Sequence, residues 1–295
     1  MQEALFGNLT IDINETENGK YTGPGGSVFF MAKTFENLGV SATIISPRGV
    51  DFPKKYLPQT LFVPTGPLFE KTLIFRNKYQ GGKREQGVEN YAPYLSFDWQ
   101  KDLRFVAPDS DIVAVAPILN NIDTNQIKAI KDFFPQSFFV LLPQGFYRQI
   151  DKSGNIRHGL WGEEGVVVGL FDFISMSEDD LKDADVRGEA WSREGPIVAV
   201  TKAERGATLY RNGQRTDYPA FQVAEITDPT GAGDIFAAAF SYAYRKTAHV
   251  EEAVDFAQAA AALSLRSAAN KLQYSLRDII EFAKSQERRI NLCLH

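Results

Sequence analysis

Short apolar segments bounded by turn residues recur along the chain and alternate with segments of helical pattern. The apolar segments lie at residues 40–46, 112–116, 138–142, 171–175 and 197–201. Strands that are buried on both faces of a sheet have this character. Helices are predicted between some of them, at 122–134 and 179–185, and after them, at 250–266 and 275–285. The alternation predicts an α/β fold with a central, mostly parallel sheet and helices on both faces.

The composition is that of one large α/β domain. The 295 residues are 44% hydrophobic and 23% charged, and no linker or repeat divides them, so we expect a single domain over residues 1–295. The net charge of −5, with Lys and Arg scattered, argues against a nucleic-acid partner. The sequence lacks a long apolar run, which argues against a membrane. The lone Cys293 argues against a disulfide framework, and we expect a cytoplasmic protein.

Two regions, residues 11–21 and 68–91, depart from this pattern. They are richer in polar and aromatic residues, and the alternation at 72–77 is typical of half-exposed antiparallel strands. Taken alone, the two regions are also compatible with a pair of surface hairpins that have no role in chemistry.

The segment Thr230-Gly231-Ala232-Gly233-Asp234 stands directly before a small, apolar, helix-forming run. Its glycines allow a sharp turn, so we predict a helix N-terminus, where free N–H groups attract phosphate. A carboxylate repels a bound phosphate, so a loop that only binds phosphate gains nothing from Asp234. A site that transfers a phosphoryl group to an alcohol, in contrast, needs a base beside the phosphate to take the alcohol's proton. The combination predicts phosphoryl transfer to a hydroxyl. The structural alternative is that Thr230 is an N-cap and Asp234 a first-turn acid.

Further polar and glycine positions follow predicted strands. Asp12 follows the first strand, which would place it in the crevice at the carboxyl edge of the sheet, unless it only caps a turn. Gly25 and Gly26 would let the backbone approach a ligand, or would simply form a turn. Arg148 also follows a buried strand and could reach a phosphate or another polar ligand, or could lie in solvent.

Motifs of several other enzyme classes are absent from the sequence. It contains no G-x-x-x-x-G-K-S/T, no strand-borne G-x-G-x-x-G, no H-E-x-x-H and no G-x-S-x-G. The three histidines, His158, His249 and His295, are too scattered for a His-based metal cluster.

Four segments together resemble the ribokinase-like (PfkB) carbohydrate kinases. Residues 228–236 are similar to the family's signature D-T-T-G-A-G-D-x-F, with Pro229 in place of one Thr. Residues 7–12 resemble its first strand with the sugar-binding Asp, and Gly25-Gly26 its second substrate motif. Residues 201–207 are similar to its nucleotide segment T-x-G-x-x-G-A. The matches keep the family's order over nearly the whole chain.

The resemblance implies a ribokinase-like fold and transfer of the γ-phosphoryl group of ATP to a hydroxyl of a small sugar or cyclitol. Asp234 would be the general base, and the amides of Gly231, Ala232 and Gly233 would stabilise the transferring group. The residues expected to hold the polyhydroxy substrate are Asp12, Gly25, Gly26, Phe30 and Arg148.

The resemblance also implies cofactors and a lid. Asp180 would hold Mg²⁺ through water, and a monovalent cation could also bind. The strands at 11–21 and 68–91 would form a lid over the substrate and could join two subunits as a homodimer. Segments 75–79 and 143–148 look like a branch that includes inositol kinases. The residues expected to contact ATP are Thr201, Lys202, Gly206, Thr230, Gln258 and Ala262.

The chain departs from the family pattern at several places. Phe30 replaces an Asn, Ala203 replaces a Gly, and residues 269–270 read Ala-Asn where Gly-Ala is usual. The family's N-x-x-E appears as residues 177–180, which also read as a helix N-cap followed by first-turn acids. Two alternatives therefore stay open: a nucleoside kinase of the same fold, and a pseudokinase that binds sugar or nucleotide without catalysis.

Overall fold

The computed structural model describes residues 2–16, 19–80, 83–268, 271–288, 290 and 292. The predicted departure at 269–270 and Cys293 lie outside these residues. The strands are β1 (Gln2–Phe6), β2 (Thr10–Thr16), β3 (Gly19–Gly25), β4 (Ser41–Ile45), β5 (Leu61–Val63), β6 (Leu73–Gln80), β7 (Lys83–Glu89), β8 (Ile112–Val115), β9 (Phe138–Leu141), β10 (Arg148–Ile150), β11 (Ile156–His158), β12 (Phe173–Ser177), β13 (Ile197–Thr201), β14 (Ala207–Arg211) and β15 (Gln214–Tyr218). The helices are α1 (Ser27–Asn37), α2 (Thr124–Phe133), α3 (Glu164–Val167), α4 (Ala184–Ser192), α5 (Ala232–Thr247), α6 (Val250–Ser264) and α7 (Leu276–Ser285).

Nine strands form the central sheet, in the order β15-β14-β13-β12-β9-β8-β1-β4-β5. The strands from β13 to β5 pair in parallel, and β14 and β15 add an antiparallel hairpin at one edge. Strands β8 and β9 are buried at every residue, because helices cover both faces of the sheet. The mostly parallel α/β sheet predicted from the sequence is confirmed, and each of the five predicted strands belongs to it.

Helices lie on both faces because successive side chains of a strand point to opposite sides. Leu5 packs into the core under α1, α5, α6 and α7, whereas its neighbours Ala4 and Phe6 pack into the core under α2 and α4. The alanines of α5 and α6 are small, so the two helices approach each other closely. Among the described residues, no helix is both long and apolar enough to cross a membrane.

The predicted helix at 179–185 is wrong, because most of these residues form turns after β12 and α4 begins only at Ala184. The Asp180 amide donates to the Ser177 carbonyl, and the Asp179 amide donates to the Ser177 hydroxyl at 3.2 Å. A serine that bonds to nearby backbone in this way competes with helix formation. The same turn also rules out the interpretation of residues 177–180 as a helix N-cap.

The two regions that depart from the alternating pattern form a separate four-stranded sheet, β3-β2-β6-β7, which we call the small sheet. The hairpins β2–β3 and β6–β7 are antiparallel, as predicted, but β2 and β6 pair in parallel. Hairpin β10–β11 joins the β7 edge, where the Val88 amide donates to the Gly154 carbonyl at 2.8 Å. Phe75 of the small sheet belongs to the same buried cluster as Leu119, which follows the carboxyl end of β8. The small sheet therefore lies at the carboxyl edge of the central sheet.

Candidate active site

The glycine-rich segment lies at the N-terminus of α5, as predicted. Gly231 is the N-cap residue and has φ 80, and Ala232 begins the helix. A Cβ on Gly231 would lie 2.4 Å from the ring of Phe30, so both the backbone conformation and the space require glycine. The alternative with Thr230 as N-cap is wrong, since Gly231 takes that position. We call residues 230–233 the anion loop, because their amides lie at the positive end of a helix.

Asp234 lies in the first turn of α5 and is half-buried. The Ser27 hydroxyl bonds to its carboxyl, and Gln144 Nε2 donates to Ser27 Oγ at 2.6 Å. Burial raises the pKa of Asp234 to about 7, and the charge of Asp180 adds to this, while Ser27 and Arg148 oppose it. A carboxyl with this pKa can accept a proton near neutral pH.

Asp12 lies within strand β2 of the small sheet, not after a strand of the central sheet as predicted. It is 6% exposed, and Thr10 Oγ1 donates to its Oδ1 at 2.5 Å. Burial raises its pKa to about 6, with a smaller contribution from Asp228, and Arg148 opposes the shift. A β2 position excludes the alternative in which Asp12 only caps a turn.

Gly25 and Gly26 are adjacent, but a larger residue is excluded at each for a different reason. Gly25 is opposite Thr10 in the β2–β3 register, and a Cβ there would lie 2.1 Å from the Asp12 carboxyl. Gly25 therefore makes room for Asp12. Gly26 is the N-cap of α1 with φ 92, and a Cβ there would lie 2.2 Å from the Asn8 carbonyl oxygen.

Arg148 is held in place by hydrogen bonds and a ring contact. Its guanidinium donates to the Ile118 carbonyl at 3.2 Å and to Gln144 Oε1 at 3.0 Å, and lies 4.9 Å from the centre of the Phe75 ring. The predicted alternative of a solvated loop Arg is wrong. Since Arg148 lowers the pKa of both Asp12 and Asp234, it is the cation that both carboxyls share.

One cavity of about 1760 Å³ brings most of the predicted site residues together. Two predicted residues, Gly25 and Lys202, lie outside its lining. The predicted residues that line it are Asp12, Gly26, Phe30, Arg148, Asp180, Thr201, Gly206, Thr230, Gly231, Ala232, Gly233, Asp234, Gln258 and Ala262.

Lys202 is turned away from the cavity by an ion pair. Its Nζ lies 2.8 Å from both carboxylate oxygens of Asp185, and Lys202 is 6% exposed. The Tyr210 hydroxyl donates to the same carboxylate at 2.8 Å. A lysine held this way has a structural role, and contact of Lys202 with ATP stays a prediction.

The turn after β13 requires a positive φ at positions 203 and 206. Gly206 has φ 93, and a Cβ would lie 2.0 Å from the Tyr218 carbonyl oxygen. Ala203, which stands where the resembled family has Gly, has φ 47. Because an L-residue rarely adopts this conformation, Ala203 keeps the turn at some cost in strain.

Gln258 of α6 lines the cavity and carries a buried acceptor atom. It is 6% exposed, and its Nε2 donates to the Tyr218 carbonyl at 3.3 Å. Its Oε1 is buried without a hydrogen-bond partner among the described residues. The cavity lining on α6 and on residues 220–226 is mostly apolar and, besides Gln222, includes Phe221, Val223, Ile226, Ala261, Ala262 and Leu265. A flat base with an N–H donor matches this slot.

The described residues place no group of three or more His, Cys, Asp or Glu side chains together as metal ligands. Mg²⁺ that arrives with a nucleotide needs only one or two carboxylates, because phosphates and water complete its shell. Asp180 lines the cavity and is close enough to raise the pKa of Asp234, so it fits that requirement.

Sequence reasoning missed four polar residues of the site: Ser27, Asn14, Asn77 and Gln86. Ser27 bonds to Asp234, and its one signal in the sequence is its place directly after Gly26. The three amides form a bonded row that ends on Thr230. Their spacing in the sequence has no motif, because the row depends on how distant strands pair.

Comparison with known proteins gives relatives of one family. The model of the pfkB family carbohydrate kinases matches residues 161–272. A cytidine kinase of Thermococcus kodakarensis is 36% identical over an alignment 270 residues long, which covers 85% of this chain and 91% of that protein. A nucleoside kinase of Methanocaldococcus jannaschii is 34% identical over 55 residues, 19% of this chain and 18% of that protein.

Solved structures show the same fold at low identity. A pyrophosphate-dependent kinase in the ribokinase family, in complex with sulfate, has a TM-score of 0.77 at 19% identity, covering 95% of this chain and 99% of that one. Ribokinase of Arabidopsis thaliana, in complex with ribose and ATP, has a TM-score of 0.69 at 18% identity, covering 96% and 98%. The protein is therefore a phosphotransferase with a hydroxyl acceptor and belongs to the pfkB family of carbohydrate kinases.

Proposed function

We propose that the protein transfers the γ-phosphoryl group of ATP to a hydroxyl of a small sugar or cyclitol. The observation that carries the proposal is the raised pKa of Asp234 at the N-terminus of α5, directly after the anion loop and inside the large cavity. A base and an anion-binding helix end within one turn are what in-line transfer to an alcohol requires.

In the proposed reaction, the acceptor oxygen forms a bond to the γ-phosphorus while the bond from that phosphorus to the β–γ bridging oxygen breaks, and ADP leaves. Asp234 takes the hydroxyl proton. The amides of Gly231, Ala232 and Gly233 stabilise the charge on the transferring oxygens. Mg²⁺, when bound with the nucleotide, neutralises phosphate charge, and Asp180 would hold it through water.

Asp12 and Arg148 make the acceptor end of the cavity suitable for a polyol. A carboxylate accepts hydrogen bonds from two hydroxyls, and a guanidinium donates hydrogen bonds to oxygens. The two side chains also interact electrostatically. Gly26 and Phe30 line the same region. In this proposal the small sheet is a lid that excludes water from the transferring group.

The donor proposal rests on Gln258. Structural neighbours in the ribokinase family include pyrophosphate-dependent kinases, and pyrophosphate has no base. Here an apolar slot ends on a buried, unpaired amide oxygen, which an amino group of adenine would satisfy. We therefore expect ATP to be used well, ITP poorly and pyrophosphate not at all. In Gln258→Leu, the preference for ATP over ITP should disappear, and equal use of ATP and ITP by the wild type would rule out this role.

A nucleoside is the second candidate acceptor. The relative that aligns over most of this chain at 36% identity is a cytidine kinase, which favours a riboside. The sugar of a riboside offers the same vicinal hydroxyls to Asp12 as a free sugar.

The test is release of ADP from Mg-ATP with ribose, hexoses, myo-inositol and nucleosides including cytidine. Turnover with a free sugar or cyclitol supports the first candidate, and turnover with cytidine alone supports the second. Binding of ATP without turnover on any acceptor would favour the pseudokinase.

Homodimer formation through the small sheet is also proposed. The face away from the cavity carries Ile11, Ile13 and Ile74, which are only half-buried in the single chain. Apolar side chains on an exposed sheet face favour pairing with a second copy. Sedimentation of the wild type and of Ile13→Lys would test this.

A further inference from the structure

Three side-chain amides form one hydrogen-bonded row across the small sheet. Asn14 on β2, Asn77 on β6 and Gln86 on β7 lie directly opposite one another in the strand register. Gln86 Nε2 donates to Asn77 Oδ1 at 2.9 Å, and Asn77 Nδ2 donates to Asn14 Oδ1 at 2.9 Å. Asn14 and Asn77 each donate from nitrogen to one neighbour and accept at oxygen from the other, so the orientation of Asn14 is coupled to that of Asn77.

The row ends on the anion loop. Asn14 Nδ2 donates to Thr230 Oγ1 at 3.0 Å, and Thr230 directly precedes the N-cap of α5. The Thr230 amide in turn donates to Asp228 Oδ1 at 2.9 Å. Since Asn14 supplies the proton of its contact with Thr230, the Thr230 hydroxyl directs its own proton elsewhere, and Thr230 lines the cavity.

Two of the three amides in the row are buried. Asn14 is 5% exposed and Asn77 is 8% exposed, so an amide that lost its partner would have little water to replace it. Asn77 and Gln86 line the cavity, whereas Asn14 lies outside its lining. Asn14 thus connects the wall of the cavity to the anion loop without lining the cavity itself.

We propose that Asn14 is a positioning residue that transmits the placement of the small sheet to the anion loop. The inference rests on the proposed kinase function: the Thr230 hydroxyl donates to a phosphoryl oxygen of the donor. Asn14 holds Thr230 so that this hydroxyl and the amides of residues 231–233 face the transferring group together. An acceptor that contacts Asn77 or Gln86 then acts on the geometry of the loop through Asn14.

Hydrogen–deuterium exchange of the protein without ligands tests the contact directly. Exchange of the peptide that covers 228–236 should be faster in Asn14→Leu and in Thr230→Val, because the loop loses its tie. Thr230→Ser keeps the hydroxyl and should exchange like the wild type. Thr22→Val, on the exposed part of β3, is the matched control on the small sheet and should also leave the peptide unchanged. Wild-type exchange in Asn14→Leu would overturn the proposal.

Kinetics with Mg-ATP and cytidine, ribose or myo-inositol separate positioning from folding. Asn14→Leu should lower kcat about tenfold, with the KM for ATP within about twofold of the wild type, because small misplacements of reacting groups are costly. In Thr230→Val, the Asn14→Leu change should have no further effect. Effects that multiply in the double variant would contradict the proposal. If no acceptor is turned over, the kinase proposal fails, and the exchange experiment still decides whether Asn14 positions the loop.

Discussion

Asp234 acquires the properties of a base from its surroundings. Burial raises its pKa to about 7, the charge of Asp180 raises it further, and the hydrogen bond from Ser27 and the charge of Arg148 hold the value down. The charge of Arg148 also lowers the pKa of Asp12. The guanidinium therefore extends to lower pH the range in which both carboxyls are charged, against the larger effect of burial.

Replacing Arg148 by Met should raise the pKa of Asp234 and of Asp12 by about 0.5 unit or more, since a nearby positive charge is removed while the contact with the Phe75 ring is kept. Carbon-13 NMR titration of labelled aspartates measures this without any substrate. The ascending limb of kcat/KM should move to higher pH by the same amount. Arg148→Lys, which keeps the charge, is the control, and an unchanged titration in Arg148→Met would contradict the assignment.

Asp234→Asn should stabilise the protein at pH 8. The folded-state pKa of Asp234 lies above its unfolded value of 3.8, so the folded protein binds this proton more tightly. Its contribution to stability is complete below pH 3.8 and is lost as the pH rises through about 7. Asn carries no charge at either pH. Urea unfolding should therefore show a gain of about 1 kcal/mol or more at pH 8 and almost none at pH 4, and an equal gain at both pH values would contradict a raised pKa.

For single residues, the sequence predicts the positions of those that lie together in one motif. It does not predict contacts between residues that are distant in the chain. Gly231 and Asp234 are adjacent along one loop and helix, so local chemistry is enough to place them. Lys202 reads as a nucleotide contact, yet Asp185 holds its ammonium. Asn14 bonds to Thr230 although 216 positions separate them in the chain, so only the tertiary fold brings the two together.

The N-terminus of α5 offers the sharpest test among the elements. Gly231→Ala should lower stability by about 1–3 kcal/mol, because φ 80 is unfavourable for Ala and its Cβ would meet the Phe30 ring. Gly233→Ala is the matched control: a Cβ there has open space among the described residues, and helix propensity favours Ala by about 1 kcal/mol. Thermal unfolding should rank Gly233→Ala above the wild type and Gly231→Ala below it. The reverse order would show that the loop is not built as described.

The type of an element can be predicted from the sequence where a single residue pattern is present. It cannot where the residues suit two kinds of structure. The buried strands of the central sheet are apolar throughout, so their type was clear. Residues 179–185 carry acids that suit a first helical turn, but the hydroxyl and carbonyl of Ser177 bind the Asp179 and Asp180 amides in a turn. The parallel pairing of β2 with β6 could not be read from either hairpin alone.

At the scale of the whole molecule, the cavity exists only because distant parts of the chain meet at the carboxyl edge of the central sheet. The small sheet supplies Asp12, α5 supplies Asp234, and α6 supplies Gln258. Its volume of about 1760 Å³ exceeds the range of roughly 300–1,000 Å³ that is usual for one small ligand. There is room for a donor and an acceptor together.

Room for both ligands predicts direct transfer in a ternary complex. Initial rates measured against both substrates should give intersecting double-reciprocal lines, because Asp234 takes the acceptor proton while the anion loop holds the donor phosphate. Parallel lines, the pattern of a phosphorylated enzyme intermediate, would be incompatible with this arrangement.

The central claim, that Asp234 is the base for phosphoryl transfer at the anion loop, is tested most directly by one single-turnover measurement. Wild-type protein and Asp234→Asn are mixed with Mg-ATP and the acceptor found in the panel, and ATP affinity is measured alongside. We expect Asp234→Asn to transfer about a hundredfold more slowly or worse, with ATP affinity at least as high as that of the wild type, because the variant loses the base and a charge that repels phosphate. Transfer at close to the wild-type rate in Asp234→Asn would contradict the account.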